Sequence, residues 1–198
     1  MALSDRTRRL LPLAAFALGL AGLSGAMVFM LAPEKAPVQT ASVGGPFTLL
    51  DQDGRTVTER DFAGAPHLVF FGFTHCPDIC PTTLQQVTDV LGALGRKGRD
   101  MRVAFITVDP ERDRPEDLKA YLSSFDPRIT GLTGSPEQVA AAVKAYRGYA
   151  RKVPDKDGGY TMEHTALVYV MGRDNRFVSS LNLQRPPEES AAELAKRL

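Results

Sequence analysis

The chain has no tryptophan, only two cysteines and only three histidines among 198 residues. Two cysteines exclude the multi-bridge framework that staples small secreted scaffolds. Charge of either sign is not in excess: 24 Lys and Arg face 23 Asp and Glu, a net of +1. That balance gives no footprint for nucleic acid or a polyacidic substrate. No repeat and no long low-complexity tract is present, which excludes a solenoid or an array. What remains is a length suited to one domain plus an extension.

Charge is also missing locally. Residues 10–33 carry none, a stretch long enough to cross a bilayer core of roughly 30 Å. Residues 1–9 in front of it are polar and basic, with Arg6, Arg8 and Arg9. They would stay cytoplasmic and leave the rest outside. The sequence thus predicts a basic N-terminus (1–9), a transmembrane anchor (10–32), a linker (33–43) and a folded domain (44–198). A cleaved signal peptide is the rival reading, since Ser24-Gly25-Ala26 resembles a cleavage site. Against it, Met27 to Leu31 continue the apolar run. No cysteine lies near this segment, so a lipid-modified cysteine is excluded. The run lacks the scattered arginines of a mitochondrial presequence. The expected location is a bacterial inner membrane, crossed once, with the domain in the periplasm.

Both cysteines fall in one stretch, Leu68 to Leu84. Its first six residues are apolar and aromatic, as in a buried central strand. Pro81 suits the first position of a helix, because its missing N–H is not needed there. The two sulfurs therefore belong to a strand-to-helix loop, with Cys80 near the cap. The partial positive charge of a helix start favours thiolate over thiol.

Around this stretch, a hairpin is predicted over 45–58, turning at 51–54. A helix is predicted over 81–94, with Leu84, Val87, Val90, Leu91 and Leu94 on one face. Strands follow at 102–108 and 129–132, helices at 115–125 and 136–146. A protruding hairpin (151–153 and 160–162) brackets the turn at 155–159. Strands near 165–170 and 176–179 and a helix over 187–198 close the domain. This order is an α/β, thioredoxin-like sandwich: a central mixed sheet flanked by helices, with an N-terminal hairpin.

Three chemistries compete for Cys76 and Cys80. A dithiol oxidoreductase usually has two residues between its cysteines, whereas here there are three. Such folds also place a cis-proline opposite the cysteines. The matching stretch here, residues 162–167, has His164 and no proline. The second reading is a soft metal site, two thiolates and one imidazole, which suits copper or zinc. A structural zinc usually takes four protein ligands, and three are evident. The third reading is an inert local disulfide.

At these residues a resemblance becomes specific. Phe71-Gly72-Phe73-Thr74-His75-Cys76-Pro77-Asp78-Ile79-Cys80-Pro81-Thr82-Thr83-Leu84 resembles the signature of the Sco/SenC family of copper chaperones. Val108-Asp109-Pro110-Glu111-Arg112-Asp113 resembles its second motif, and Glu163-His164-Thr165-Ala166-Leu167-Val168-Tyr169 its third. The resemblance implies a thioredoxin-like, membrane-anchored protein that binds copper, Cu(I) and also Cu(II), through Cys76, Cys80 and His164. It implies service to the dinuclear copper site in subunit II of cytochrome c oxidase. A copper donor chaperone and a thiol reductant of the thioredoxin type are the implied further partners. Such a protein need not be an enzyme. The alternative is a thiol–disulfide oxidoreductase acting on the subunit II cysteines; a redox or copper sensor is a more distant third.

Other residues divide between site and scaffold. Asp78 and Asp109 are candidates to orient the metal loop, Asp109 through Arg112 or a backbone N–H. Both also read as loop carboxylates. His75 adjoins Cys76, but neighbouring side chains in an extended loop point apart. His67, after Pro66, reads as a surface histidine. Met162 reads as packing, and Tyr146, Tyr149 and Tyr160 as either core or a partner-facing surface.

Overall fold

A computed structural model describes residues 42–156 and 158–197. The expected N-terminus, anchor and most of the linker lie outside these residues. Among the described residues no helix is long and apolar enough to cross a membrane.

Strands β1 (Thr48–Asp51) and β2 (Thr56–Thr58) form the entry hairpin. Its turn is closed by the Asp51 carboxylate, which accepts from the N–H groups of Asp53 and Arg55. A short 3-10 turn, Glu59–Phe62, leads to β3 (His67–Gly72). Every residue of β3 is buried, as its unbroken apolar sequence requires of a strand covered on both faces. Helix α1 (Ile79–Leu94) follows, then β4 (Arg102–Thr107), α2 (Pro115–Leu122), β5 (Ile129–Thr133) and α3 (Pro136–Ala145). The start of α3 has proline in its first turn, and Ser135 and Gln138 cap each other's backbone N–H. Strands β6 (Ala150–Pro154) and β7 (Tyr160–His164) pair as a separate two-stranded ribbon. Strands β8 (Val168–Met171) and β9 (Phe177–Ser180) and helix α4 (Pro187–Ala195) complete the chain.

The main sheet has seven strands in the order β2-β1-β5-β4-β3-β8-β9. Its centre, β5-β4-β3, is parallel, while β1 and β8 join antiparallel. Helices α1 and α4 pack on each other, and α2 packs on β5. The core holds Phe70, Phe71 and Phe105 at the sheet centre and Leu84, Val87 and Leu91 from α1. This is the thioredoxin-like mixed α/β architecture that the alternation of elements predicts.

Three expectations are corrected. Helix α1 begins at Ile79, with Asp78 as its cap, so Pro81 sits in the first turn rather than at its first position. His164 is the last residue of the β6–β7 ribbon, paired with Ala150, and the next strand starts only at Val168. His67 is 2% exposed and opens β3, its ring against Phe62. Pairing of His67 with Arg102 on β4 and Met171 on β8 draws it into the sheet, overriding the loop signal of Pro66.

Candidate metal centre

The end of β3 and the start of α1 present both sulfurs. Cys76 is half-buried and Cys80 buried, and both are free thiols. The loop turns tightly, with Cys76 N–H donating to the Phe73 carbonyl. The N–H of Cys80, in the first turn of α1, donates to Cys76 Sγ at 3.3 Å. A helix start thus supplies a donor to the outer sulfur. Close approach of the inner sulfur depends on Gly72, where a Cβ would stand 3.0 Å from Cys80 Sγ and 2.6 Å from the Phe105 ring.

The third group arrives from the ribbon. His164 Nε2 lies 3.5 Å from Cys80 Sγ. Its Nδ1 faces the Thr165 carbonyl at 3.1 Å, a contact that requires Nδ1–H and leaves the Nε2 lone pair toward the sulfurs. Phe73 and Phe70 meet the imidazole edge-on, with centroids at 5.8 and 6.4 Å, and hold its plane. One ligand atom from each of Cys76, Cys80 and His164 can be chosen so that all lie within 4.8 Å of one another. Two sulfurs and one imidazole nitrogen suit soft and borderline cations such as Cu(I) and Zn, and do not suit Mg or Ca.

The electrostatics differ from the expected pair of softened thiolates. Burial pushes the Cys80 thiol well above the ordinary range, and its hydrogen bond with Cys76 adds to the effect. At the inner sulfur, desolvation therefore outweighs the helix start. Burial also lowers the His164 pKa, with the Thr165 carbonyl opposing, so the imidazole is neutral at pH 7. Without a cation the inner sulfur is a thiol; a soft cation would take the place of its proton.

Supporting groups form two sets. Asp113 is fully buried and accepts from Thr74 N–H (3.0 Å), Thr74 Oγ1 (2.6 Å) and Thr107 Oγ1 (2.6 Å). It thereby ties the cysteine loop to the end of β4. In the sequence Asp113 stands out only as one member of the second motif; its position six residues after Thr107 in a strand is the available signal. In the second set, Asp109 receives hydrogen bonds from Arg112 Nε and the Tyr160 hydroxyl. Arg112 Nη1 donates to the Tyr160 carbonyl at 3.1 Å. The Arg112 guanidinium and Lys152 ammonium lie 3.9 and 4.2 Å from the Tyr160 ring centroid. Tyr160 begins the strand that His164 ends, so this cluster holds the far end of the imidazole's own strand.

The remaining candidates make other contacts. Asp78 receives Thr82 Oγ1 at 3.4 Å, within its own helix turn. His75 turns to Thr74 Oγ1 (3.0 Å) and Asp113 (3.8 Å). Met162 packs against the core. Tyr146 is core, and Tyr149 is exposed.

Fold and donor set together define a thioredoxin-like protein with a Cys–Cys–His site fit for a soft metal. The family model SCO1/SenC matches residues 35–198. The chain belongs to the SCO1/SenC family. Among curated relatives, "Protein SCO1 homolog 1, mitochondrial" of Arabidopsis thaliana is 40% identical over 139 residues, 70% of this chain and 42% of that protein. The chain spans about half the length of the curated relatives it matches, for example 56% of the Mus musculus SCO1 homolog. Among solved structures, Bradyrhizobium japonicum ScoI with copper bound is 55% identical, with TM-score 0.76, covering 79% of this chain and 100% of that one. BsSco, described with a disulfide switch as a member of the Sco family of cytochrome c oxidase assembly proteins, is 28% identical. Its TM-score is 0.61, with 82% of this chain and 95% of that one covered.

Proposed function

We propose that this chain is a copper chaperone for cytochrome c oxidase assembly. Copper is its cargo, held by Cys76, Cys80 and His164 and delivered to the dinuclear site of subunit II. The observation that carries this reading is the convergence of the three donors within 4.8 Å. The copper-bound ScoI structure supports the identity of the metal. Three protein donors leave one side of the ion open, which suits transfer by ligand exchange rather than permanent retention. Residues 10–32 anchor the chain in a bacterial inner membrane, and the domain from residue 44 faces the periplasm, where the oxidase copper site is assembled. A copper donor loads it, and a thioredoxin-type reductant keeps its thiols open for loading.

The test is anaerobic Cu(I) titration of the reduced chain, followed by mixing with the soluble copper domain of subunit II. One tightly held copper per chain, moving to subunit II, supports the proposal. Copper that stays on the chaperone, or binds equally well after His164→Ala, overturns it.

A second reading is favoured by the adjacency of two free thiols and by the disulfide switch described for BsSco. In it, the dithiol reduces a disulfide in subunit II: two thiols here become a disulfide as two cysteines there become thiols. Reduction of subunit II by His164→Ala at the parental rate, without copper, would favour this reading.

A further inference from the structure

A groove of about 590 Å³ runs beside the ribbon, between the loop after β4, helix α3 and strand β6. Its floor is apolar, with Val108, Val139, Val143 and Met162. Its rim is basic. Lys152 pairs with Glu111 and Arg151 with Glu163. Among the described residues, the rim cations Lys144 and Arg147 have no ion-pair partner, and both are exposed. Arg147 stands at φ +55, a left-handed conformation that a glycine adopts more readily, so a cation occupies a position whose backbone favours glycine.

One wall of the groove is Tyr149 and the start of β6, residues 150–152. The ribbon has only two strands, so β6 has no strand partner on its outer edge among the described residues. The register tells which backbone groups that edge offers. Thr165 N–H donates to the Tyr149 carbonyl and Asp155 N–H to the Gly159 carbonyl, so the odd-numbered residues of β6 bond inward to β7. In an antiparallel pair the alternate residues turn their N–H and C=O outward. Ala150 and Lys152 therefore present an open set of strand donors and acceptors on the outer edge of the ribbon, and both residues also line the groove.

We infer that this groove docks an extended, acidic segment of a partner protein, which adds to β6 as a third strand. An open edge binds a peptide backbone, an apolar floor takes its apolar side chains, and unpaired cations select carboxylates. The inference does not depend on the metal bound at the cysteines.

The probe is a fluorescein-labelled octapeptide of alternating Glu and Val, titrated against the full chain in detergent micelles and read by anisotropy. We expect saturable binding. We expect at least tenfold weaker binding for the Lys–Val counterpart and for a Glu–Val peptide N-methylated at alternate residues. Lys144→Glu with Arg147→Glu should weaken binding at least tenfold, while Lys144→Arg with Arg147→Lys retains it. Thermal melts of both double variants establish that they are folded. Bound peptide should also slow amide exchange at Ala150 and Lys152. No saturable binding overturns the inference. Equal binding of the N-methylated peptide overturns it too, because attraction would then be charge without strand addition. Parental affinity in the folded charge-reversed variant does the same.

Discussion

Cys80 Sγ and His164 Nε2 stand 3.5 Å apart although they are 84 positions apart in the chain. The contact joins the start of α1 to the end of the β6–β7 ribbon, so the site exists only when the domain is folded. His164→Ala should leave the fold intact, because the imidazole is half-buried at a strand end. Copper affinity should fall by more than the ~10–100-fold typical of losing an outer-shell partner. Competition with a chromophoric Cu(I) chelator measures this.

The two thiols should differ in reactivity. Cys76 is half-buried, whereas Cys80 is fully buried with a raised thiol pKa. In the reduced, metal-free protein iodoacetamide should modify Cys76 first and Cys80 at least ~10-fold more slowly, since thiolate and access set the rate. Peptide mapping of partly alkylated protein reads the order. Faster modification of Cys80 would show that burial does not protect the inner sulfur.

Asp113→Ala should destabilise the domain strongly. The buried carboxylate satisfies two threonine hydroxyls and one backbone N–H. Each buried group left unpaired costs roughly 1–3 kcal/mol, so a loss of about 3 kcal/mol in urea unfolding is expected. Asp113→Asn keeps an acceptor and should cost less.

Gly72→Ala places a Cβ against the Phe105 ring and Cys80 Sγ. Overpacking of this kind typically costs about 1–3 kcal/mol. Here it should also push the inner sulfur off its position, so copper affinity falls together with stability. A variant with parental affinity would show that the sulfur position is not set by this contact.

Stability should fall in mild acid. Burial is the main cause of the lowered pKa of His67, with the Ala65 carbonyl opposing and Arg102 adding to the depression. The unfolded chain therefore binds a proton at higher pH than the folded one does. The stabilisation is complete above an unfolded pKa of ~6.5 and is lost as pH falls through the lower folded value. The slope approaches about 1.4 kcal/mol per pH unit for one such group. His67→Phe should flatten the profile below about pH 6.5, leaving the share due to His164, which is depressed in the same direction.

Much of this site is legible in sequence for a physical reason. An unbroken apolar run has one good fate, a strand buried on both faces, and β3 is that strand. A loop carrying both cysteines must then follow it. Elsewhere local signals were overruled. Pro66 marked a loop, yet strand pairing drew His67 into the core. The helix-start field suggested a thiolate at Cys80, yet burial, a tertiary quantity, raised its pKa. The Arg112–Tyr160–Lys152 stack and the grip of Asp113 on Thr74 join segments distant in the chain, with no periodic pattern to announce them.

The most direct test of the central claim is X-ray absorption at the copper edge of the Cu(I)-loaded protein, beside His164→Ala. The parent should show two sulfur scatterers and one imidazole nitrogen, with the nitrogen lost in the variant. A sulfur-only shell in the parent, or an imidazole signal that survives His164→Ala, would contradict it.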